Sequence, residues 1–341
     1  MDYFFAACEE ARHPEFKGKP LIVGTKGSKD KLRGVVQTCN YEARAFGIHS
    51  AMPTAMAFKL KPDSGYAEAD NDYYEQVSDR IMKAVKGFGF KTEVMSVDEA
   101  AVEVEVETYG AGESLARQIK NALAQEFSLP CTIGVSTGKS FAKMACDAAK
   151  PNGLKVLREE EIIPFIQKLP VGRLSGVGSK TEERLNAMGI KTVGELARTD
   201  PNVLIERFGS AGRWIHAIAN GREMDKVVDN YDVLSIGRER TLEKESAKIE
   251  DIQTMVRKLV DEVMAQLNSQ RLLFKTVTGK ARYADFTEKL RSRSLTHYSD
   301  SADELYAVSL SLIKELVSEK PLRKVGVRVS GFMNVKGQKK L

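Results

Sequence analysis

The chain has 341 residues, of which 42% are hydrophobic and 29% are charged, and its formal net charge is +5 at pH 7. This length predicts at least two domains, because single domains commonly hold about 150 residues. The sequence has no apolar run near the ~18 residues of a membrane span, which excludes a membrane protein. It also shows no secretory signal, so we expect a cytoplasmic protein.

The cysteines and histidines are scattered along the chain and form no C-x-x-C pair. They are Cys8, Cys39, Cys131, Cys146, His13, His49, His216 and His297. This spacing argues against a zinc site and against a disulfide framework. We therefore expect the cysteines to be buried thiols.

Positive charge is concentrated in the last third of the chain. Residues 233–341 contain 21 Lys and Arg against 14 Asp and Glu, whereas residues 1–232 contain 31 against 33. A basic segment beside a slightly acidic one indicates a module that binds a polyanion. The alternative is a basic surface that serves only solubility.

The first 160 residues alternate short helices and strands. Helical patterns cover residues 4–11, 40–47, 53–61, 70–86, 113–127 and 139–150. Strand patterns cover residues 21–24, 34–39, 129–138 and 151–156, whereas 62–66 is predicted as a turn. Valines alternate with acids between residues 91 and 108, which is typical of a half-exposed strand or hairpin. This order predicts an α+β sheet domain.

The rest of the chain has two further patterns. Residues 162–222 are helical and punctuated by glycine, and the polar stretch that follows them is predicted to be a linker. Residues 234–332 then run strand, helix, two strands, helix and strand, which predicts a compact βαββαβ domain.

Asp98 and Glu99 are adjacent acids in the apolar stretch SVDEA. Burying such a pair is costly unless a metal ion or hydrogen bonds compensate. Two carboxylates that hold Mg²⁺ are what metal-assisted phosphoryl transfer requires. Neighbours on a regular strand point to opposite faces, so both acids serve one site only at a strand end or bend. The alternative is an acid pair at a hairpin edge.

Two helical stretches carry cations suited to phosphate. Lys139, Lys143 and Lys150 recur at helical or near-helical offsets, and Lys150 precedes a proline, where helices commonly end. Tyr41 and Arg44 lie near a helix start. For the lysines the simpler explanation is a solvated helix face.

Two further patterns suggest contacts with a nucleic-acid backbone. Gly176 and Gly178 lie between short helical stretches and are similar to a helix-hairpin-helix turn, which holds a DNA phosphate through backbone N–H groups; a second copy is predicted at Gly209 and Gly212. The alternative is an ordinary tight turn. The strands near the C-terminus alternate apolar and basic residues, which predicts one face suited to phosphates; its basic residues are Arg238, Arg240, Lys280, Arg282, Lys324 and Arg328.

Together these stretches resemble the Y-family translesion DNA polymerases, in the DinB or DNA polymerase IV branch with its archaeal members. The matching stretches occur in the family's order and are MDYFFAACEE, NYEARAFGI, MSVDEA, GVSTGKSFAKMACDAAKPNG, LSGVGSKTEERL and SIGRERT. The resemblance covers essentially the whole chain. It implies an α+β, right-hand-like polymerase with a palm sheet, small fingers, a helical thumb and a βαββαβ little finger.

The resemblance also implies domain boundaries and site roles. The palm would hold residues 1–11 and 70–161, the fingers 12–69, the thumb 162–223, the linker 224–233, the little finger 234–334 and the tail 335–341. Asp98 and Glu99, with the Met1 carbonyl, would bind two Mg²⁺ ions. Phe5 would be the steric gate under the deoxyribose. The dNTP would contact Tyr3, Phe4, Phe5, Thr38, Tyr41, Arg44 and Lys150, and the primer–template DNA would contact Gly176, Gly178, Lys180 and the basic strand residues.

The two ends of the sequence depart from the family pattern. The family's first motif places a metal-bridging Asp five residues before the gate, which here falls immediately before Met1, and Asp2 matches the second acid of that motif. We therefore expect a chain truncated at both ends that lacks this Asp and most of the first palm strand. The tail has Gln338 and Leu341 of a sliding-clamp peptide but not its aromatic residues.

The sequence thus predicts low-fidelity, template-directed DNA synthesis past damaged bases by a monomer. The alternative is a primer–template DNA-binding protein with weak or no catalysis, because the bridging Asp is missing. A small-molecule nucleotidyl cyclase with a similar palm is a third class. A cyclase of that kind would not account for the glycine turn or for the basic C-terminal domain.

Overall fold

The computed structural model describes residues 1–25, 34–229, 232–317 and 320–334. The chain divides into two compact units, Met1–Asn230 and Tyr231–Leu341. The predicted clamp-binding residues Gln338 and Leu341 lie outside the described residues. In the described part of the chain, no helix has both the length and the apolar composition needed to cross a membrane.

The first part of unit 1 mixes helices and short strands, as predicted. Its helices are α1 (Phe4–Arg12), α2 (Tyr41–Arg44), α3 (Thr54–Leu60), α4 (Asn71–Lys86), α5 (Tyr109–Phe127) and α6 (Lys139–Ala149). Its strands are β1 (Leu21–Gly24), β2 (Val36–Cys39), β3 (Gly65–Glu68), β4 (Lys91–Val94), β5 (Ala100–Glu103), β6 (Ile133–Val135) and β7 (Leu154–Val156).

These strands form three small sheets. Strands β2, β1 and β3 lie side by side in that order, β4 pairs antiparallel with β5, and β6 pairs parallel with β7. Residues 62–66 were predicted as a turn, but Gly65 and Tyr66 belong to β3, which pairs parallel with the fully buried β1. A strand of four residues has too little alternation to be recognised from sequence.

Local signals explain where the longer helices begin. The Asp70 side chain accepts a hydrogen bond from the Tyr73 N–H and caps α4, whose Val77, Ile81 and Val85 stripe is buried as predicted. Helix α5 begins at Tyr109, before the predicted residue 113, because the Thr108 hydroxyl accepts from the Ala111 N–H.

The second part of unit 1 is helical, as predicted. Its α-helices are α7 (Glu159–Ile166), α8 (Ser179–Ala187), α9 (Val193–Arg198), α10 (Pro201–Phe208) and α11 (Ser210–Ala219). Phe141, Met144 and Ala145 of α6 belong to the same buried apolar cluster as these helices. One core therefore fixes α6 against the helical segment.

The start of the predicted linker is bonded to the sheet region. The Glu223 carboxylate accepts hydrogen bonds from the Ser140 N–H at 2.7 Å and the Ser140 hydroxyl at 3.0 Å. The Val228 N–H donates to Glu93 at 2.9 Å, and the Thr92 N–H donates to Asp229 at 3.2 Å. Residues 223–229 are therefore held to β4 and α6 rather than forming a free tether.

Unit 2 has the predicted βαββαβ order. Its elements are β8 (Ser235–Ser246), α12 (Ile249–Gln270), β9 (Leu272–Tyr283), β10 (Glu288–Ser299), α13 (Ala302–Val317), β11 (Leu322–Ser330) and the short β12 (Met333–Asn334). The sheet order is β10-β9-β11-β8, and all three pairs are antiparallel. Both helices contribute to the core cluster that includes Val277, Val325 and Val327.

A buried ion pair in unit 1 provides a stability test. The Lys139 ammonium lies 3.0 Å from both oxygens of Glu93, whose side chain is 4% exposed. We expect Lys139→Met to lower the free energy of unfolding by ~3 kcal/mol, because it removes the main counter-charge of a buried carboxylate. Urea denaturation followed by circular dichroism measures this change.

The matched control is Lys91→Met, which breaks the exposed pair between Lys91 and Glu103. Because exposed pairs contribute little, we expect a loss below ~1 kcal/mol. Equal losses in the two variants would contradict the structural role assigned to Lys139.

Candidate active site

Asp98 and Glu99 lie in the hairpin turn between β4 and β5. The turn is closed by hydrogen bonds from the N–H groups of Met95 and Ser96 to the Glu99 carbonyl, at 2.9 Å and 3.2 Å. The Ser96 hydroxyl donates to Asp98 Oδ1 at 2.8 Å. The acids therefore occupy a bend, which meets the condition for both to serve one site and also fits the alternative of an acid pair at a hairpin edge.

Both acids line a cavity of about 670 Å³ in unit 1. Met1, Asp2 and the lysines of α6 line the same cavity, and its apolar side is formed by α4, α5, β5 and β6. The Met1 amino group donates a hydrogen bond to the Asp98 carbonyl, which holds the start of α1 beside the acid pair.

The lysines at α6 are paired with carboxylates rather than lying on a solvated face. Lys139 binds Glu93, and the Lys143 ammonium contacts Glu99 Oε1. Lys150, the residue after the helix, lies 2.9 Å from Asp147. These partners could not be predicted from the sequence, because Glu93 and Glu99 lie some 45 residues before Lys139 and Lys143 and only the fold brings them together.

The donor set suits magnesium. Two adjacent carboxylates and a main-chain carbonyl are hard oxygen ligands, and Mg²⁺ is commonly held by one or two carboxylates completed by substrate phosphates. Among the described residues, no group of three or more His, Cys, Asp or Glu could hold a metal ion. Two carboxylates and one carbonyl would leave the remaining coordination positions of such an ion to other ligands.

The two phenylalanines at the start of α1 have different surroundings. Phe4 is 3% exposed and belongs to the core, whereas Phe5 is half-buried. The Phe5 ring stacks on Tyr74 with centroids 4.4 Å apart and planes 12° apart. The Tyr74 hydroxyl donates to the buried Glu9 at 2.7 Å, which fixes the platform under Phe5. Of the pair, Phe5 is therefore the one available to a ligand.

The predicted triphosphate contacts gather near this helix start. The Tyr3 ring meets the edge of Tyr41 at 5.4 Å, and the Arg44 guanidinium lies 4.8 Å from the Tyr41 ring centre. Burial raises the pKa of Tyr41, the charge of Asp2 adds to this rise, and the charges of Arg44 and Lys150 oppose it. Thr38 lies nearby in the sequence on β2 and is 9% exposed.

Lys150 keeps its positive charge. Burial acts to lower the pKa of its ammonium, but the hydrogen bond and charge of Asp147 outweigh burial and raise the pKa above its usual value. A charged lysine at this position can exchange Asp147 for a phosphate oxygen.

The glycine turn has the backbone that the sequence predicts. Gly176 has a φ of +82°, and an added Cβ there would lie 2.3 Å from the Trp214 ring. Gly178 directly precedes α8, and Gly176, Gly178 and Lys180 are exposed. The predicted second copy joins α10 to α11 at Gly209, with a φ of +64°. The N-terminus of α8 is therefore open to an anion.

In unit 2 the faces of β9 separate as predicted. Val277, Ala281 and Tyr283 are buried, while Lys280 and Arg282 lie partly exposed on the open face; Thr278 on that face is itself buried and forms a hydrogen bond with the Ser292 hydroxyl. Directly paired residues share a face. Arg282 pairs with Lys324, and Thr278 pairs with Arg328, so β11 adds two cations to that face.

Arg238 and Arg240 are not on that face, which corrects the predicted grouping. They pair with Val327 and Val325, whose side chains are buried under the helices. Both arginines lie against Glu262 of α12, at 3.9 Å and 3.1 Å. A spacing of two residues along a strand shows that the two arginines lie on the same face of the sheet, but it does not show which of the two faces that is.

The open face also carries two acids that sequence analysis missed. Glu239 lies 3.3 Å from the Lys280 ammonium and 3.2 Å from that of Lys324. Burial acts to raise the pKa of Glu239, but Lys324 and Lys280 outweigh it and lower the pKa. Glu288 accepts from Arg282 at 2.6 Å, and its pKa is lowered by Arg282 and Lys280.

Comparison with known families covers most of the chain. Residues 1–147 match the impB/mucB/samB family, residues 233–341 match the C-terminal domain of that family, and residues 159–190 match its HHH motif. The central match contains the glycine turn at Gly176 and Gly178.

Similar proteins include the DNA polymerase IV of Methanoculleus marisnigri, which is 38% identical over 97% of this chain and 92% of that protein. The DNA polymerase IV of Lactococcus lactis is 36% identical over the same shares.

Among solved structures, a Y-family DNA polymerase chimera of Dbh and Dpo4 matches with a TM-score of 0.90 and 30% identity over 98% of both chains. An insertion ternary complex of Dbh DNA polymerase matches with a TM-score of 0.70, also at 30% identity and over 98% of both chains. The chain therefore belongs to the Y-family DNA polymerases, in the DNA polymerase IV or DinB branch.

Proposed function

We propose that this protein adds dNTPs to a primer 3′ end in a template-directed reaction that passes damaged bases with low fidelity. The observation that carries this proposal is the placement of Asp98 and Glu99 at a bend that opens into a cavity also lined by Lys143 and Lys150. The family supports the reaction, and the acid pair supplies the chemistry that the reaction needs.

Asp98 and Glu99, with the Met1 carbonyl, would hold two Mg²⁺ ions, which activate the primer hydroxyl and neutralise the triphosphate when bound. Tyr41, Arg44 and Lys150 hold the triphosphate, helped by Thr38 and by the N–H groups at the start of α1.

Phe5 lies under the deoxyribose and excludes a 2′-hydroxyl. Its ring is supported from behind by Tyr74, and the Tyr74 hydroxyl is anchored on Glu9. A rigid aromatic surface can reject an added hydroxyl by contact, without a hydrogen bond of its own.

The DNA contacts follow from two open surfaces. The N-terminus of α8, with Gly176, Gly178 and Lys180, takes a backbone phosphate. The open face of β9 and β11, with Lys280, Arg282, Lys324 and Arg328, tracks the primer–template through phosphates and gives salt-dependent, sequence-tolerant binding. Arg238 and Arg240 stay predicted contacts at the edge of this sheet.

Further parts of the proposal rest on the sequence alone. They are the four-part division into palm, fingers, thumb and little finger, the monomeric state, the cytoplasmic location and the clamp contact through Gln338 and Leu341.

The acid pair is tested by Asp98→Ala. We expect primer extension to fall by ~1,000-fold or more, because a lost metal ligand removes several kcal/mol of transition-state stabilisation. Single-turnover extension with Mg²⁺ measures this, with Glu103→Ala as a control on the adjoining strand. Undiminished synthesis by Asp98→Ala would contradict the role of Asp98 as a metal ligand in this reaction.

The gate is tested by Phe5→Ala. Removing the ring should admit a 2′-hydroxyl and lower the preference for dNTPs over rNTPs by ~10-fold or more. The comparison is kcat/KM for dCTP and CTP opposite the same template base, with Phe46→Ala as an exposed aromatic control. Unchanged sugar discrimination would refute the gate role.

The open face is tested by paired charge changes. Lys324→Gln should weaken primer–template binding and make the slope of log K against log salt shallower by about 1. Glu239→Gln should strengthen binding ~5-fold and steepen the slope, because two lysines lose a competing carboxylate. Fluorescence anisotropy at several salt concentrations measures both.

The matched control is Asp303→Asn, which removes the same charge from an acid paired with Arg257 between the two helices. An equal gain from Asp303→Asn would show an effect of net charge alone and would count against this face as the DNA contact.

A further inference from the structure

Asp2 is a buried acid to which the proposed reaction gives no role. The residue is 1% exposed. Its Oδ2 accepts two hydrogen bonds of 2.7 Å, one from the Thr132 hydroxyl and one from the Asn152 N–H. The Asp2 N–H donates to the Pro130 carbonyl at 3.0 Å, so both the backbone and the side chain of Asp2 bind the segment that leads into β6.

One of these side-chain bonds reaches the turn that follows Lys150 directly, and the other reaches it through Thr132. Helix α6 ends at Ala149, so Lys150 is the first residue outside the helical hydrogen-bond ladder. Pro151 has no N–H, which makes Asn152 the first residue after Lys150 that can donate from the backbone. That N–H binds Asp2. The next one, from Gly153, donates to the Thr132 hydroxyl at 3.2 Å.

We propose that Asp2 is a positioning residue for Lys150: with Thr132, it fixes the turn at residues 151–153 and thereby holds the Lys150 ammonium where it meets the triphosphate. The inference rests on the proposed contact between Lys150 and the dNTP. It gives the second acid of the N-terminal motif a role in substrate binding through another residue.

The alternative is a general stability role, which the pattern of contacts does not favour. A buried carboxylate that only supported packing would have no need to bind the one segment that carries Lys150. Asp2 and the Thr132 hydroxyl together accept the two backbone N–H groups that follow Pro151, so these contacts are concentrated on that turn.

The test measures dNTP binding without turnover. Variants of the full chain are bound to primer–template DNA with Ca²⁺, and the Kd of the correct dNTP is measured by titration. We expect Thr132→Val, which keeps the side-chain shape, and Asp2→Ala each to raise the Kd ~10-fold. Asp2→Asn should stay near the parent value, because its amide oxygen can still accept both hydrogen bonds.

A double-mutant cycle with Lys150→Met separates positioning from a structural effect. If Asp2 and Thr132 act through Lys150, adding Thr132→Val to Lys150→Met should change the Kd less than twofold. Thr92→Val, another buried threonine, is the control and should leave the Kd unchanged in both backgrounds.

The outcomes distinguish two failures. Additive effects of Thr132→Val and Lys150→Met, or a ~10-fold loss in Asp2→Asn, would overturn the positioning role while leaving the triphosphate contact intact. An unchanged Kd in Lys150→Met would remove the triphosphate contact itself and this inference with it. If Asp2→Ala fails to fold, the Thr132 and Asn variants still decide the question.

Discussion

Helix α6 supplies the positive charge that lets the acids of unit 1 stand beside an apolar sheet. Two lysines of the helix pair with other elements, Lys139 with Glu93 of β4 and Lys143 with Glu99 of the hairpin turn, and Lys150, the residue after the helix, pairs with Asp147 of the helix itself. Carboxylates in such a setting are costly without partners. The opposite side of α6 packs into the helical core, so that core fixes where the cations lie.

This arrangement links folding to function through opposing charges. Lys143 is paired with Glu99 and Lys150 with Asp147. In the proposed reaction, a metal-bound triphosphate would supply the charges that exchange with these pairs. In unit 2 as well, cations are paired with carboxylates: Glu239 and Glu288 neutralise the basic residues that the proposed interface would offer to DNA. In both units, intramolecular ion pairs hold the residues of the proposed polyanion sites in place.

Much of this architecture could be predicted from sequence, and the exceptions have physical reasons. Long periodic segments such as α4, α12 and β9 were predicted because burial imposes a repeat on many residues. The four-residue β3 was missed because it is too short to show a strand pattern and forms by pairing with β1. Asp98 and Glu99 were proposed from sequence because adjacent acids are unusual in an apolar stretch, whereas the carboxylate partners of Lys139 and Lys143 and the sheet face of Arg238 depend on tertiary contacts.

The most direct test of this account is anomalous diffraction from crystals of the protein with primer–template DNA, a non-hydrolysable dNTP and Mn²⁺. Manganese is a hard cation suited to carboxylate and carbonyl ligands like magnesium, and its anomalous signal locates it. The account predicts manganese peaks at the Asp98 and Glu99 carboxylates, with Lys150 released from Asp147 onto the triphosphate. An ordered dNTP with no peak at this pair would contradict it.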